Sequence, residues 1–300
     1  MKSPRTALCS LLFALCLMAA GCQRPAVPTQ ATDERQTASA SSLAAPSIVT
    51  YAFADKWTEN DVDRCLYGIT YPELTYPSTW IQKEPSKSPI LERANREILI
   101  AYGLLSATST VALNPEEIAR EFIDLCKSDL TDMTSQLGPE SVENITYIDD
   151  SSFTVHLLTP NIASLSIETY QYTGGAHGNP GIQSVTLDLT TGKRMTLGDI
   201  IKNDQLQTII KMAYAIILKN NEEGLLEEAR SEMNTAVNSK SIMTASEQKE
   251  KFGSAKDFFL TGEGLMFFWN AYEIAPYAAG QPMALISWSD LNDKLLIKQP

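Results

Sequence analysis

The sequence predicts an α+β protein: antiparallel sheets, helices packed on one face, and two closely associated subdomains. Three observations point there. Short segments alternate apolar and polar residues with period two and follow one another like hairpins. Helical stripes form separate blocks, and the regular βα alternation of a parallel sheet is absent. With 300 residues and 44% apolar content, the chain can bury a real core as one large or two modest domains.

The elements follow in order. Ile48 to Phe53 has strand composition, and Arg64 to Tyr71 places Cys65, Tyr67, Ile69 and Tyr71 on one face until Pro72 and Pro77 end it. Ser88-Pro89 starts a helix with the stripe Leu91, Asn95, Ile98, Tyr102 and Leu105. Asn114-Pro115-Glu116-Glu117 caps a second, with the stripe Ala119, Phe122, Ile123, Cys126, Leu130 and Met133. Four strands come next, Ile145 to Ile148, Phe153 to Leu158, Leu165 to Tyr172 and Ile182 to Leu189, with a tight turn at Asp149-Asp150-Ser151-Ser152 between the first two. Thr190-Thr191-Gly192-Lys193 turns the chain before a helix over Asn203 to Asn220. Residues 221–256 are polar and partly helical. Phe258 to Leu260, Leu265 to Trp269 and Ala284 to Trp288 are late strands, the first two joined at Gly262-Glu263-Gly264, and a short helix follows from Asp290.

The amino terminus indicates location. Lys2 and Arg5 precede the apolar run Ala7 to Ala20, and Ala19-Ala20-Gly21 leads into Cys22. This is the layout of an export signal, and the run is too short to span a bilayer comfortably. A Cys after Ala-Ala-Gly resembles the bacterial lipobox. The resemblance implies cleavage before Cys22, lipid on its sulfur and membrane attachment outside the cytoplasm. Gln23, rather than Asp, follows Cys22 and points to the outer membrane. Residues 1–21 then form the signal, and 22–46, rich in Ala, Ser, Thr, Gln and Pro, a flexible tether. Export removes two bases and no acid, leaving 22 basic against 36 acidic residues and a formal charge of −14. Bulk charge of that sign excludes nucleic acid as a partner and suits a cationic one. Cys65 and Cys126 remain. In an oxidising compartment an even pair reads as a disulfide; two buried free thiols are the alternative, since Cys126 lies on an apolar stripe.

Catalytic signatures are absent. There is no HExxH, no GxSxG, no Walker A loop and no GxGxxG after a strand, so no catalytic residue, metal site or cofactor is expected. His156 lies between Val155 and Leu157 in a strand and reads as structural. His177 sits in Tyr172-Thr-Gly-Gly-Ala-His-Gly-Asn-Pro-Gly181, where four glycines allow close backbone approach. It is either a ligand contact or the core of a shaped turn. A second cluster, Leu265 to Gly280, concentrates aromatic residues before Pro276 and Gly280. It is either a core strand with a packed loop or an aromatic surface for sugar rings or a protein partner.

The segments YTGGAHGNPG, LDLTTGKRMTLGDI and GLMFFWNAYEIAPYAAG resemble the paired exported domains of the RsiV and PdaC families, over about residues 47–293; LYGITYPEL matches more loosely. The resemblance implies a PdaC-like region over 47–180 and an RsiV-like region over 181–293. RsiV-like proteins bind lysozyme, a cationic enzyme; PdaC-like proteins carry a separate deacetylase domain whose metal-binding motifs are missing here. The expectation is a lipid-anchored, non-catalytic envelope protein that binds cell-wall glycan or a lysozyme-like cationic protein through His177, Asn179, Trp269, Tyr272 and Tyr277. A peptidoglycan hydrolase or deacetylase, or a structural lipoprotein of an envelope complex, are the alternatives.

Overall fold

A computed structural model describes residues 44–239 and 258–299. Cys22, the signal and most of the tether lie outside them. Leu43–Pro300 forms one compact unit. It is α+β, with a six-stranded sheet in order β1 to β6 and a three-stranded sheet, β7 to β9. The strands are β1 (Ser47–Glu59), β2 (Val62–Thr75), β3 (Tyr147–Leu158), β4 (Ile162–Thr173), β5 (Asn179–Asp188), β6 (Lys193–Arg194), β7 (Phe258–Leu260), β8 (Gly264–Phe268) and β9 (Met283–Ser287). Among the described residues the α-helices are α1 (Ser78–Lys83), α2 (Lys87–Ala101), α3 (Pro115–Leu137), α4 (Leu197–Ile200), α5 (Leu206–Asn221), α6 (Glu227–Asn238) and α7 (Trp288–Leu291).

β1 and β2 form a long hairpin turning at Asn60 and Asp61, both at positive φ (51° and 63°), as a two-residue turn requires. Pro72 does not end β2, which runs on to Thr75. Two residues later, Asn95 of α2 accepts from the Leu74 N–H at 2.8 Å and donates to its C=O at 2.9 Å. The side-chain amide stands in for a neighbouring strand. Pro72 shares that orientation by alternation, so its missing N–H removes no ladder bond. α2 begins at Lys87 rather than at Ser88-Pro89, and Leu105 lies past its end, beyond Gly103 at φ 73°.

Helices α1 to α3 carry the chain over to β3, which pairs parallel with β2 from Cys65↔Tyr147 to Ile69↔Ser151. One crossover thus interrupts the antiparallel order that the sequence suggested throughout. Asn114 caps α3, accepting from the Glu116 N–H at 3.0 Å. A disulfide joins Cys126 on α3 to Cys65 on β2. The expected turn at Asp149–Ser152 is instead the middle of β3, laddered to Thr169–Gln171 and Glu168 of β4. Tertiary pairing overrides the turn-forming composition. Gly68 makes room there: a Cβ would lie 2.3 Å from the Asp150 carboxylate oxygen.

β4 and β5 are covered on both faces. Ala163, Leu165, Ile167, Val185 and Leu187 pack with Ala94 and Ile98 of α2. The alternate residues Ser164, Ser166, Ser184 and Thr186 are equally buried but polar. Ser164 accepts from the Leu260 N–H at 2.8 Å and shares a 2.9 Å contact with Thr186, so the second sheet is fixed to the first by satisfied hydroxyls. The largest core lies between α5, α6 and β7 to β9 and includes Ile209, Ile210, Ile217, Phe258, Phe267 and Trp288. Trp288, expected in a strand, begins α7 and donates from Nε1 to the Thr261 carbonyl at 3.2 Å.

The segment LDLTTGKRMTLGDI is a shaping device. Asp188 gathers the Thr190 N–H and the Thr190 and Thr191 hydroxyls. Gly192, at φ 73°, approaches the Ile90 carbonyl so closely that a Cβ would sit 2.2 Å from it. Thr196 and Asp199 then close a capping box on α4.

Candidate functional site

Two loops that the sequence placed almost a hundred residues apart meet at the end of β5. The first joins β4 to β5 and carries His177. The second follows β8 and is fastened by Asn270. Its Oδ1 accepts from the Ile182 N–H at 2.7 Å, its Nδ2 donates to the Ile182 C=O at 3.1 Å, and Gln281 donates to the same Oδ1 at 3.0 Å. β5 pairs with β6 only at Leu187 and Asp188, so Ile182 would otherwise face an open edge. Asn270 repeats on β5 what Asn95 does on β2.

From this anchor the chain turns sharply. The Asn270 N–H donates to Glu273 Oε2 at 2.8 Å, Glu273 N–H to the Asn270 C=O at 3.1 Å, and Tyr272 N–H to the Ala275 C=O at 2.9 Å. Tyr272 itself takes φ 69°, a left-handed conformation that costs an aromatic residue about 1–2 kcal/mol. The turn holds it there with 54% of its surface exposed.

The rings then assemble. The His177 imidazole stacks on Tyr277 with centroids 3.8 Å apart and planes 15° from parallel. The Tyr272 hydroxyl lies 3.0 Å from His177 Nε2. His177 Nδ1 lies 2.9 Å from the Gly178 carbonyl, which can only accept. Nδ1 therefore carries a proton, and in the neutral ring Nε2 accepts from Tyr272. Gly178 sits under the end of the Tyr170 ring, where a Cβ would come within 2.2 Å of Cζ. The result is an aromatic patch in which Tyr170 of β4 and the loop residues His177 and Tyr272 are exposed and Tyr277 is half-buried.

The other expected residues sit differently. Asn179 is exposed at the first position of β5, opposite Gln171. Trp269 turns toward the large core, against Tyr214 and Phe267. It lines a separate cavity of about 340 Å³ whose polar rim is Glu228, Glu232 and Glu273. The sequence reading missed Tyr170 and Asn270. Tyr170 could have been found from strand parity, since it lies eight residues before Gly178 across a hairpin. Nothing local marked Asn270 as an edge clamp.

Among the described residues, no three His, Cys, Asp or Glu side chains converge as metal ligands. His156, half-buried in β3, bonds Ser166 Oγ at 2.8 Å, and Ser166 donates its own proton to Glu168 at 2.5 Å. The serine proton thus points at the carboxylate, so the imidazole Nε2–H donates to the serine.

No curated protein of known function matches the chain. Residues 59–180 match the family described as deacetylase PdaC, and residues 198–289 match DUF3298, described as a protein of unknown function. A crystal structure of a DUF3298-family protein from Bacteroides fragilis shares the fold at TM-score 0.55 and 16% identity, over 86% of this chain and 96% of that one. A DUF3298-family protein from Pseudomonas aeruginosa aligns at TM-score 0.48 and 18% identity, over 84% and 94%. The chain thus carries a PdaC-like region followed by a DUF3298-like region, the paired arrangement of a cell-envelope-related family.

Proposed function

We propose that the protein is a lipid-anchored, non-catalytic binding protein of the bacterial cell envelope, and that its ligand is a peptidoglycan fragment. The observation that carries this reading is the patch of Tyr170, His177, Tyr272 and Tyr277. Exposed aromatic faces on a rigid base give a sugar ring a large apolar contact at little entropic cost. The fixed imidazole edge and Asn179 beside it supply polar groups for hydroxyls and amides. The Ala-Ala-Gly-Cys22 sequence supports the anchor, with residues 22–46 as tether.

A second reading has its own support. The carboxylates of Glu228, Glu232 and Glu273 around Trp269, together with a charge of −14 beyond Gly21, suit a cationic wall-lytic protein such as lysozyme.

One titration series separates the two. Residues 43–300 are titrated calorimetrically with purified muropeptides and with lysozyme at low and high salt. Glycan binding should survive salt, and Tyr272→Ala or Tyr277→Ala should weaken it about tenfold. Lysozyme binding should fall steeply with salt and weaken in Glu228→Gln. Muropeptide binding unchanged in both tyrosine variants would remove the first reading. A flat lysozyme titration at low salt would remove the second.

A further inference from the structure

The outer edge of β1 is unused by the function proposed above. β1 ends the six-stranded sheet, so one side of its backbone has no neighbouring strand among the described residues. The ladder shows which groups face outward. Leu74 sends its N–H and C=O to Asn95, and Thr70 sends its C=O to the Tyr102 hydroxyl at 2.8 Å, all away from β1. Leu74 lies opposite Ile48, and Thr70 opposite Ala52. When one member of an antiparallel pair points its groups away, so does the other. Ile48, Thr50, Ala52 and Ala54 therefore aim their N–H and C=O outward. Pro72, opposite Thr50, fits the same alternation. No hydrogen bond to these groups is found among the described residues.

The first eight residues of this edge lack the usual protection; the charges of β1 begin at Asp55 and Lys56. Ser47–Ala54, SIVTYAFA, contains no charge, proline or glycine. Long, flat, uncharged edges of β-forming residues pair with other strands unless something blocks them. Val49 and Tyr51 are 41% and 43% exposed.

We propose that this edge joins two copies of the chain, paired antiparallel about a two-fold axis at Tyr51. In that register Ile48 meets Ala54 of the second copy and Thr50 meets Ala52, so every outward residue faces an outward residue. The pairing is self-complementary, as a two-fold contact requires. Charge favours a second copy over a foreign cationic strand. Residues 43–300 carry 20 basic and 34 acidic groups, yet Ser47–Ala54 bears none, and the nearest carboxylate, Glu73 on β2, already accepts from the Tyr51 hydroxyl at 2.7 Å, so two acidic molecules meet along an uncharged strand. Tyr51 already stacks on Tyr71 with centroids 5.4 Å apart. The axis places the two Tyr51 side chains at a non-hydrogen-bonded position, where side chains approach most closely, and makes a row of four tyrosine rings.

Residues 43–300 form a compact unit whose only cysteines are Cys65 and Cys126, already bridged. Tyr51→Cys therefore introduces a single free thiol on the axis, with Cα atoms about 4.5 Å apart, inside disulfide range. Val49→Cys faces Phe53 of the second copy, and its two thiols stand roughly 13 Å apart along the strands. Mild oxidation should give a covalent dimer from Tyr51→Cys and none from Val49→Cys. In sedimentation velocity at about 100 μM the unmodified protein should dimerise, more so at about 0.5 M salt, where the like charge elsewhere is screened. Ala52→Pro removes an outward N–H and no β1–β2 bond, and Ala52→Lys puts a charge in the contact; each should weaken dimerisation at least tenfold. Thermal melting verifies that the variants are folded, and Ala52→Lys decides if Ala52→Pro is not. A monomer at every salt concentration, equal crosslinking of both cysteine variants, or wild-type dimerisation in Ala52→Lys would overturn the proposal.

Discussion

His156 lies face to face on Phe259, with centroids 3.8 Å apart and planes 11° from parallel, and donates to Ser166. Burial pushes its pKa down to about 4 from an ordinary 6.5. The native state holds the ring neutral, whereas an unfolded chain takes up a proton below pH 6.5. Its contribution to stability is therefore complete above pH 6.5 and is lost as pH falls toward 4. The loss should be on the order of 2 kcal/mol over that window, allowing for the partial exposure of the ring. His156→Gln should flatten that part of the stability–pH curve, as urea unfolding at several pH values would reveal. An unchanged slope would mean that another group sets the acid limb. Tyr67 and Tyr147 show the same physics with the opposite charge type: burial first, then Asp149 or Asp129, pushes both phenols up to about 12.

Two elements end in open strand edges, and in both an asparagine amide closes them. Asn95 holds Leu74 from α2, and Asn270 holds Ile182 from the loop after β8. Asn95→Ala would leave the Leu74 N–H and C=O buried without partners and should cost about 2 kcal/mol. Asn95→Asp should be no better, because its carboxylate faces a carbonyl. Chemical denaturation with an unchanged m-value would confirm a local defect. These clamps also mark where sequence reading ends. Asn95 stood out only as a polar residue on an apolar stripe, and its partner could not be named. The stripes of α3 and α5 were legible because each has a single apolar face, and the start of α3 because its cap, Asn114, is local. The middle of β3 was not, because Asp149 to Ser152 is turn composition held straight by strands on both sides. His177 and the Tyr272–Tyr277 segment were legible as unusual chemistry, but their contact depends on Ile182, which no local pattern connects to Asn270.

At the scale of the molecule, the Cys65–Cys126 bridge closes a loop of 61 residues that contains α1, α2 and the first half of α3. It sits in a small core with Ile123, Leu130, Val142 and Tyr147, apart from the large core under α5. Reduction should cost about 4 kcal/mol on the chain-entropy account. Guanidinium unfolding with and without dithiothreitol checks this; a difference under 1 kcal/mol would mean that the apolar packing of α3 suffices. The first family match ends at residue 180 and the second begins at 198, and β5 starts at the end of the first match and runs into the interval between them. That strand ladders to β4 on one side and receives Asn270 on the other. Tyr272 and Tyr277 and the histidine they touch thus come from opposite sides of a seam that is itself a shared strand. Neither portion could be inherited, transplanted or trimmed alone and still present the surface, which gives a mechanical reason for the two to travel through evolution as a couple.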